Sequence, residues 1–106
     1  MAKFLVSGSY GPEGVKGLIK DRASGRVASV TKMIEGLGGK VEAFYYAFGE
    51  TDVFVVVDVP DAATAAALSM AVNASGAVRT SLTPLLTVDE VDAACKKAVG
   101  YKAPGA

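Results

Sequence analysis

The sequence predicts an α+β domain built on a four-stranded antiparallel sheet, and three observations carry that prediction. Apolar runs of strand type alternate with helical patterns in the order strand, helix, strand, strand, helix, strand. The two middle strands are joined by "GETD", a loop of hairpin length. The other two joins are helical, and right-handed crossovers place both helices on one face of the sheet. This is the split βαβ order of the ferredoxin-like fold, βαββαβ, with an interrupted first helix and an added C-terminal helix.

Each element has its own signal. Lys3–Ser9 reads as the first strand, bounded by the turn Gly11-Pro12. Pro12 suits the first turn of a helix, and Glu13 favours its N-terminal dipole. One helix from Pro12 to Leu37 would align Val15, Ile19, Val30, Met33 and Leu37, but Arg22 and Arg26 fall on the same stripe. Burying two unpaired guanidiniums is costly, so a break at Ser24-Gly25 is expected. The second half then presents Val27, Val30, Ile34 and Leu37, and Gly38-Gly39 stops it.

"KVEAFYYAF" alternates as a strand, with Glu42, Phe44, Tyr46 and Phe48 on one face and Val41, Ala43, Tyr45 and Ala47 on the other. "VFVVVDV" is a run with no polar face and reads as a central strand covered on both sides. Asp61 caps an alanine-rich helix that Gly76 stops. "AVRTSLTPLL" is a fourth strand, which Pro84 places at a sheet margin. Thr87-Val88-Asp89-Glu90 is a capping box opening a last helix that runs to about Val99. Residues 1–99 therefore form one domain, and 100–106 a flexible tail.

Composition narrows function by exclusion. Eleven basic residues balance eleven acidic ones, so no net field favours a polyanion, and no nucleic-acid partner is expected. The chain has no histidine and one cysteine, Cys95, which removes the usual zinc and copper ligands and any intrachain disulfide. No cofactor is expected. Only Phe4, Leu5 and Val6 form an apolar run before Ser7, too short for a signal-peptide core or a membrane span. A single thiol fits a reducing compartment, so the expectation is a soluble, cytoplasmic protein with no membrane partner.

Two helices on one face leave the other bare, and its strands are apolar on both sides. Val53, Val55 and Val57 alternate with Phe54 and Val56, and Tyr45 opposes the other aromatics of its strand. A bare apolar face of that extent marks an interface, so a homo-oligomer through the open sheet face is expected.

The stretches "SYGPEGVKGL", "GGKVEAFYYAFGETDVFVVVDVPD" and "ALSMAVNASGAVRTSLTPLLTVDEVDAA" together resemble the bacterial GYD-domain family of small proteins, over roughly Lys3 to Ala94. The most specific pieces are the aromatic strand entering the glycine-acid loop, and "NASGAVR" leading into "TPLLT". The tyrosine that gives the family its name is replaced here by Thr51, while Gly49 and Asp52 remain. The resemblance implies a ferredoxin-like α+β fold and supplies no catalytic residues.

Candidate ligand-binding residues are Asp52, Arg26, Arg79, Tyr46 and Tyr10. Asp52 closes a loop on a rigid hairpin, where sites concentrate, yet Gly49 with its freedom for positive φ and Asp52 with its turn chemistry suffice for a plain turn. Arginine forks suit carboxylate or phosphate. Arg26 follows the expected helix break, Arg79 shares a polar strand face with Ser81 and Thr83, and Arg22 reads as solvated. Tyr10, Tyr45 and Tyr46 offer phenolic donors, although strand aromatics more often pack than bind. Lys16 and Lys20 read as surface, Cys95 as inert beside its alanines, and "GSYGPEG" matches no phosphate-loop pattern.

Two functional classes follow. One is a non-catalytic oligomer that binds a partner or a small acidic or aromatic ligand. The other, by fold-level analogy alone, is a cofactor-free isomerase or monooxygenase-like enzyme of the dimeric α/β-barrel type. An enzyme would bring Asp52 or Glu42 within hydrogen-bond reach of Tyr46 or Arg79 in an apolar pocket, whereas a binder needs only shape and an anchoring charge.

Overall fold

The computed structural model describes residues 1–106. In chain order they form β1 (Ala2–Tyr10), α1 (Pro12–Gly36), β2 (Lys40–Tyr46), β3 (Val53–Val59), α2 (Ala62–Ala74), β4 (Val78–Leu85) and α3 (Val88–Cys95). One antiparallel sheet runs β2-β3-β1-β4, so β1 and β3 are central and Pro84 lies on an edge. This is the α+β arrangement expected from the order of elements.

Register sorts side chains between the two faces. Phe4 opposes Val57, Val6 opposes Val55 and Gly8 opposes Val53, and this row faces the helices. Ile34, Val57 and Val59 are fully buried, packed with Phe4, Val53, Val55, Ala65 and Leu68. Each valine, leucine, isoleucine or phenylalanine among them contributes roughly 1.5–3 kcal/mol on leaving water. The opposite face carries Leu5, Phe54 and Val56, half-buried, and Tyr45, exposed. On that side Asp58 is buried, but no helix packs substantially over Phe54 and Val56, contrary to the expectation of a strand covered on both.

Helix α1 is interrupted, but at Arg22 (φ 67°, ψ 164°), while Ser24 and Gly25 are helical. The physical motive anticipated for the break holds at its new place. Turning the chain at Arg22 takes that guanidinium out of the stripe and into water, and Arg26 stays on it, half-buried. Glycine within a helix costs about 1 kcal/mol, a smaller penalty than a buried unpaired charge. Before the break α1 packs poorly, with Val15 and Ile19 exposed and Gly14 alone buried. Gly14 is required there, because a Cβ would lie 2.2 Å from the carbonyl oxygen of Ala77.

Strand β2 also departs from simple alternation. A bulge at Glu42 makes Val41 oppose Val57 and Ala43 oppose Val56, so Val41 joins Phe44 and Tyr46 on the helix face. The strand stops at Tyr46, and the left-handed residue beyond it is Phe48 (φ 55°) rather than Gly49. Phe48 nevertheless stacks on Tyr46 at 5.6 Å, and Tyr46 meets Phe44 at 5.4 Å, forming a three-ring ladder. Asp61 caps α2, accepting from the Thr64 N–H at 2.8 Å and the Thr64 hydroxyl at 2.7 Å. The Thr87–Glu90 capping box is present, but α3 ends at Cys95, short of Val99.

Candidate functional site

The helices are set by the sheet rather than by each other. Helix α1 lies over β2 and β1, and α2 over β4, with little direct packing between the two. A mostly apolar cleft opens between them above the sheet, walled by Val6, Val30, Phe44, Val72 and Leu82. It encloses about 70 Å³, the room of roughly two water molecules at about 30 Å³ each. A short apolar group fits; a large ligand does not.

Polar groups stand at two places on this cleft. At one, Ser69 and Thr80 share a hydrogen bond of 3.0 Å, and Asn73 Oδ1 accepts from the Thr80 N–H at 2.7 Å. Sequence reasoning missed this group, since α2 reads as a plain alanine-rich packing helix. No local signal pairs Ser69 with Thr80; only the docking of α2 on β4 does.

At the other, Tyr10 and Arg26 line the cleft and Tyr46 stands beside Tyr10. Tyr10 ends β1, and its ring packs where Gly14 leaves space. Its backbone is pinned because the Asp52 carboxylate accepts from the Tyr10 N–H at 2.8 Å. Arg26 is one turn past the kink, on the stripe with Val30 and Met33. It makes no ion pair and no hydrogen bond within the protein, although half-buried. The Tyr46 hydroxyl is buried and has no hydrogen-bond partner in good geometry. Burial, reinforced by the neighbouring Tyr10 phenol and partly opposed by the Arg26 charge, pushes Tyr46 up to about 12. Tyr46 is therefore a neutral proton donor at any ordinary pH.

The five candidates divide accordingly. Tyr10, Tyr46 and Arg26 come together. Asp52 is placed differently: its carboxylate ties the hairpin to the end of β1, and its own N–H donates to the Gly8 carbonyl at 2.9 Å. Arg79 opposes Ser9 on the open face and is exposed, away from the cleft. Glu42 pairs with Lys3, as does Asp58 at 3.1 Å, and these contacts raise the Lys3 pKa. Neither Asp52 nor Glu42 meets Tyr46 or Arg79. No three histidine, cysteine, aspartate or glutamate side chains cluster as a metal site would require, and no helix is long and apolar enough to cross a membrane.

The sequence model of one family, the GYD domain, matches residues 4–95. The chain belongs to the GYD-domain family. No curated protein and no solved structure matches it. Membership in the GYD-domain family agrees with the motif stretches that carry the resemblance, and it brings no ligand or reaction with it. For this GYD domain, chemistry must be argued from the cleft.

Proposed function

We propose that this GYD-domain chain is a ferredoxin-like, non-catalytic protein that works as a homo-oligomer through its open sheet face and binds a small organic acid in the cleft. One observation carries the ligand reading. Arg26, half-buried without a carboxylate, lines the apolar cleft with Tyr10, and against Tyr10 stands the buried Tyr46 hydroxyl, which has no hydrogen-bond partner in good geometry. Both are donors, so their complement is an acceptor, and a carboxylate satisfies a guanidinium best. The apolar wall and its small room select a short aliphatic tail. The open face supports association because Leu5, Tyr45, Phe54 and Val56 form an apolar surface over which no helix packs substantially.

Titration with isobutyrate and propionate, and with their neutral amides, tests the ligand reading by amide chemical-shift changes at Tyr10, Phe44 and Val72. The acids should bind at least tenfold more tightly than the amides, and Arg26→Gln should abolish that preference. Acids that shift none of these residues would sink the proposal. Sedimentation tests the association separately: a monomer at micromolar protomer concentration would remove the oligomer from the reading.

A further inference from the structure

The last ordered element is anomalous. Helix α3 carries a reciprocal cap: the Thr87 hydroxyl accepts from the Glu90 N–H at 3.1 Å and the Glu90 carboxylate accepts from the Thr87 N–H at 2.9 Å. It is also amphipathic, with Val88, Val91 and Cys95 on one stripe and Asp89 and Asp92 on another. Yet α3 has no buried residue and packs substantially against no other element. Val88 is 78% exposed and Tyr101 76%. A helix of 8 residues is too short to hold itself in water, since isolated helices under about 12–15 residues are marginal. Its apolar stripe needs a surface, and the protomer supplies none.

The shape of the chain gives the size of what is missing. The radius of gyration is 17.0 Å, where a compact chain of this length has about 13 Å. The longest dimension is 57 Å against 32 and 22 Å. The accessible surface is 7120 Å², whereas a folded monomer of this mass exposes about 5,500 Å². The surplus is about 1,600 Å², twice the roughly 800 Å² that each partner buries in a standard interface.

The same chain holds the complementary surface. The open sheet face presents Leu5, Phe54 and Val56, half-buried, and Tyr45, exposed, with no helix packed substantially over them, and along its β4 edge Arg79 makes no ion pair. Asp89 and Asp92 on the arm make none either. Zero net charge leaves self-association unopposed. Two unsatisfied apolar surfaces on one chain are both covered when two copies exchange them about a twofold axis.

Building on the reading that the open face is an interface, we propose that the arm Leu86–Tyr101 is exchanged between protomers. Val88, Val91 and Tyr101 of one copy lie on the open sheet face of a second copy, with the arm's aspartates toward the partner's β4 edge.

Sedimentation equilibrium of the full chain, of a chain ending at Leu86, and of Val88→Asp/Val91→Asp tests this. Both variants should weaken association at least 100-fold while keeping the sheet signal in circular dichroism, because α3 supports nothing in its own protomer. Equal association of all three chains would overturn the exchange and leave the sheet-face interface standing. A monomeric full chain would remove both. Placement is read from mixed oligomers. Cys95→Ser/Lys97→Cys protomers carrying a nitroxide are mixed with isotope-labelled protomers without one. Broadening of Leu5, Phe54 and Val56 amides in the labelled copies is the expected result. Unbroadened signals there, in a confirmed mixed oligomer, would overturn the proposal.

Discussion

Arg22 offers the sharpest test of the helix layer, because glycine and alanine at this position respond with opposite signs to the two ways the chain could run. Its φ of 67° and ψ of 164° lie in a region that side-chain-bearing residues avoid, at a strain of about 1–3 kcal/mol. The guanidinium is exposed and makes no ion pair, so replacing it loses little. Arg22→Ala keeps the strain. Arg22→Gly removes it, less about 0.5–1 kcal/mol for the greater freedom of glycine in the unfolded chain. From the middle of these ranges, the glycine variant should be the more stable of the two by about 1 kcal/mol. A continuous helix through this position reverses the order, with glycine about 1 kcal/mol worse than alanine. The assay is urea and thermal unfolding of both variants at matched protomer concentration, since association adds to apparent stability. Each kcal/mol moves the midpoint by about 4–8 °C in a domain near this size. An alanine variant as stable as the glycine variant, or more so, would refute the kink at Arg22.

Three further outcomes follow from named contacts. Ile34 is fully buried between α1 and the sheet, so Ile34→Val should cost about 0.5–1.5 kcal/mol and Ile34→Ala about 2–5 kcal/mol in urea unfolding. Gly14→Ala places a Cβ 2.2 Å from the Ala77 carbonyl oxygen and 2.9 Å from the Tyr10 ring; it should destabilise by about 1–3 kcal/mol and shift the Tyr10 resonances. Because Tyr46 titrates near 12 when folded against 10.0 ordinarily, its share of stability is complete below pH 10 and lost as pH rises through the window to about 12. In Tyr46→Phe the alkaline fall in stability should flatten across that window, and phenolate absorbance followed through an alkaline titration should show one fewer late-titrating tyrosine.

Much of the fold was legible because its signals are local. Strand period, the Asp61 and Thr87 caps, Gly38 and Gly76 at helix ends and Pro84 at an edge each act within a few residues, so each can be read where it stands. The reason for breaking α1 was also legible, since Arg22 and Arg26 fall on one stripe. The place was not, because Ser24-Gly25 is the weaker helix former while the chain turns at Arg22, where solvent access for the charge decides. The bulge at Glu42 escaped for a similar reason: one added residue reverses which side chains face inward, and only pairing with β3 reveals it.

The sequence by itself determined that, without histidine, any site in this GYD domain draws on carboxylates, lysine, arginine or tyrosine, because composition limits the available chemistry. Tertiary structure alone decided which of them meet. Tyr10, Arg26 and Tyr46 come from three elements far apart in the chain and are joined by strand register and by the direction α1 takes after its kink. Asp52, equally suggestive as a letter, is held by the main chain of β1. A side chain's chemistry is a local property, whereas its partners depend on long-range packing that no short stretch of sequence encodes.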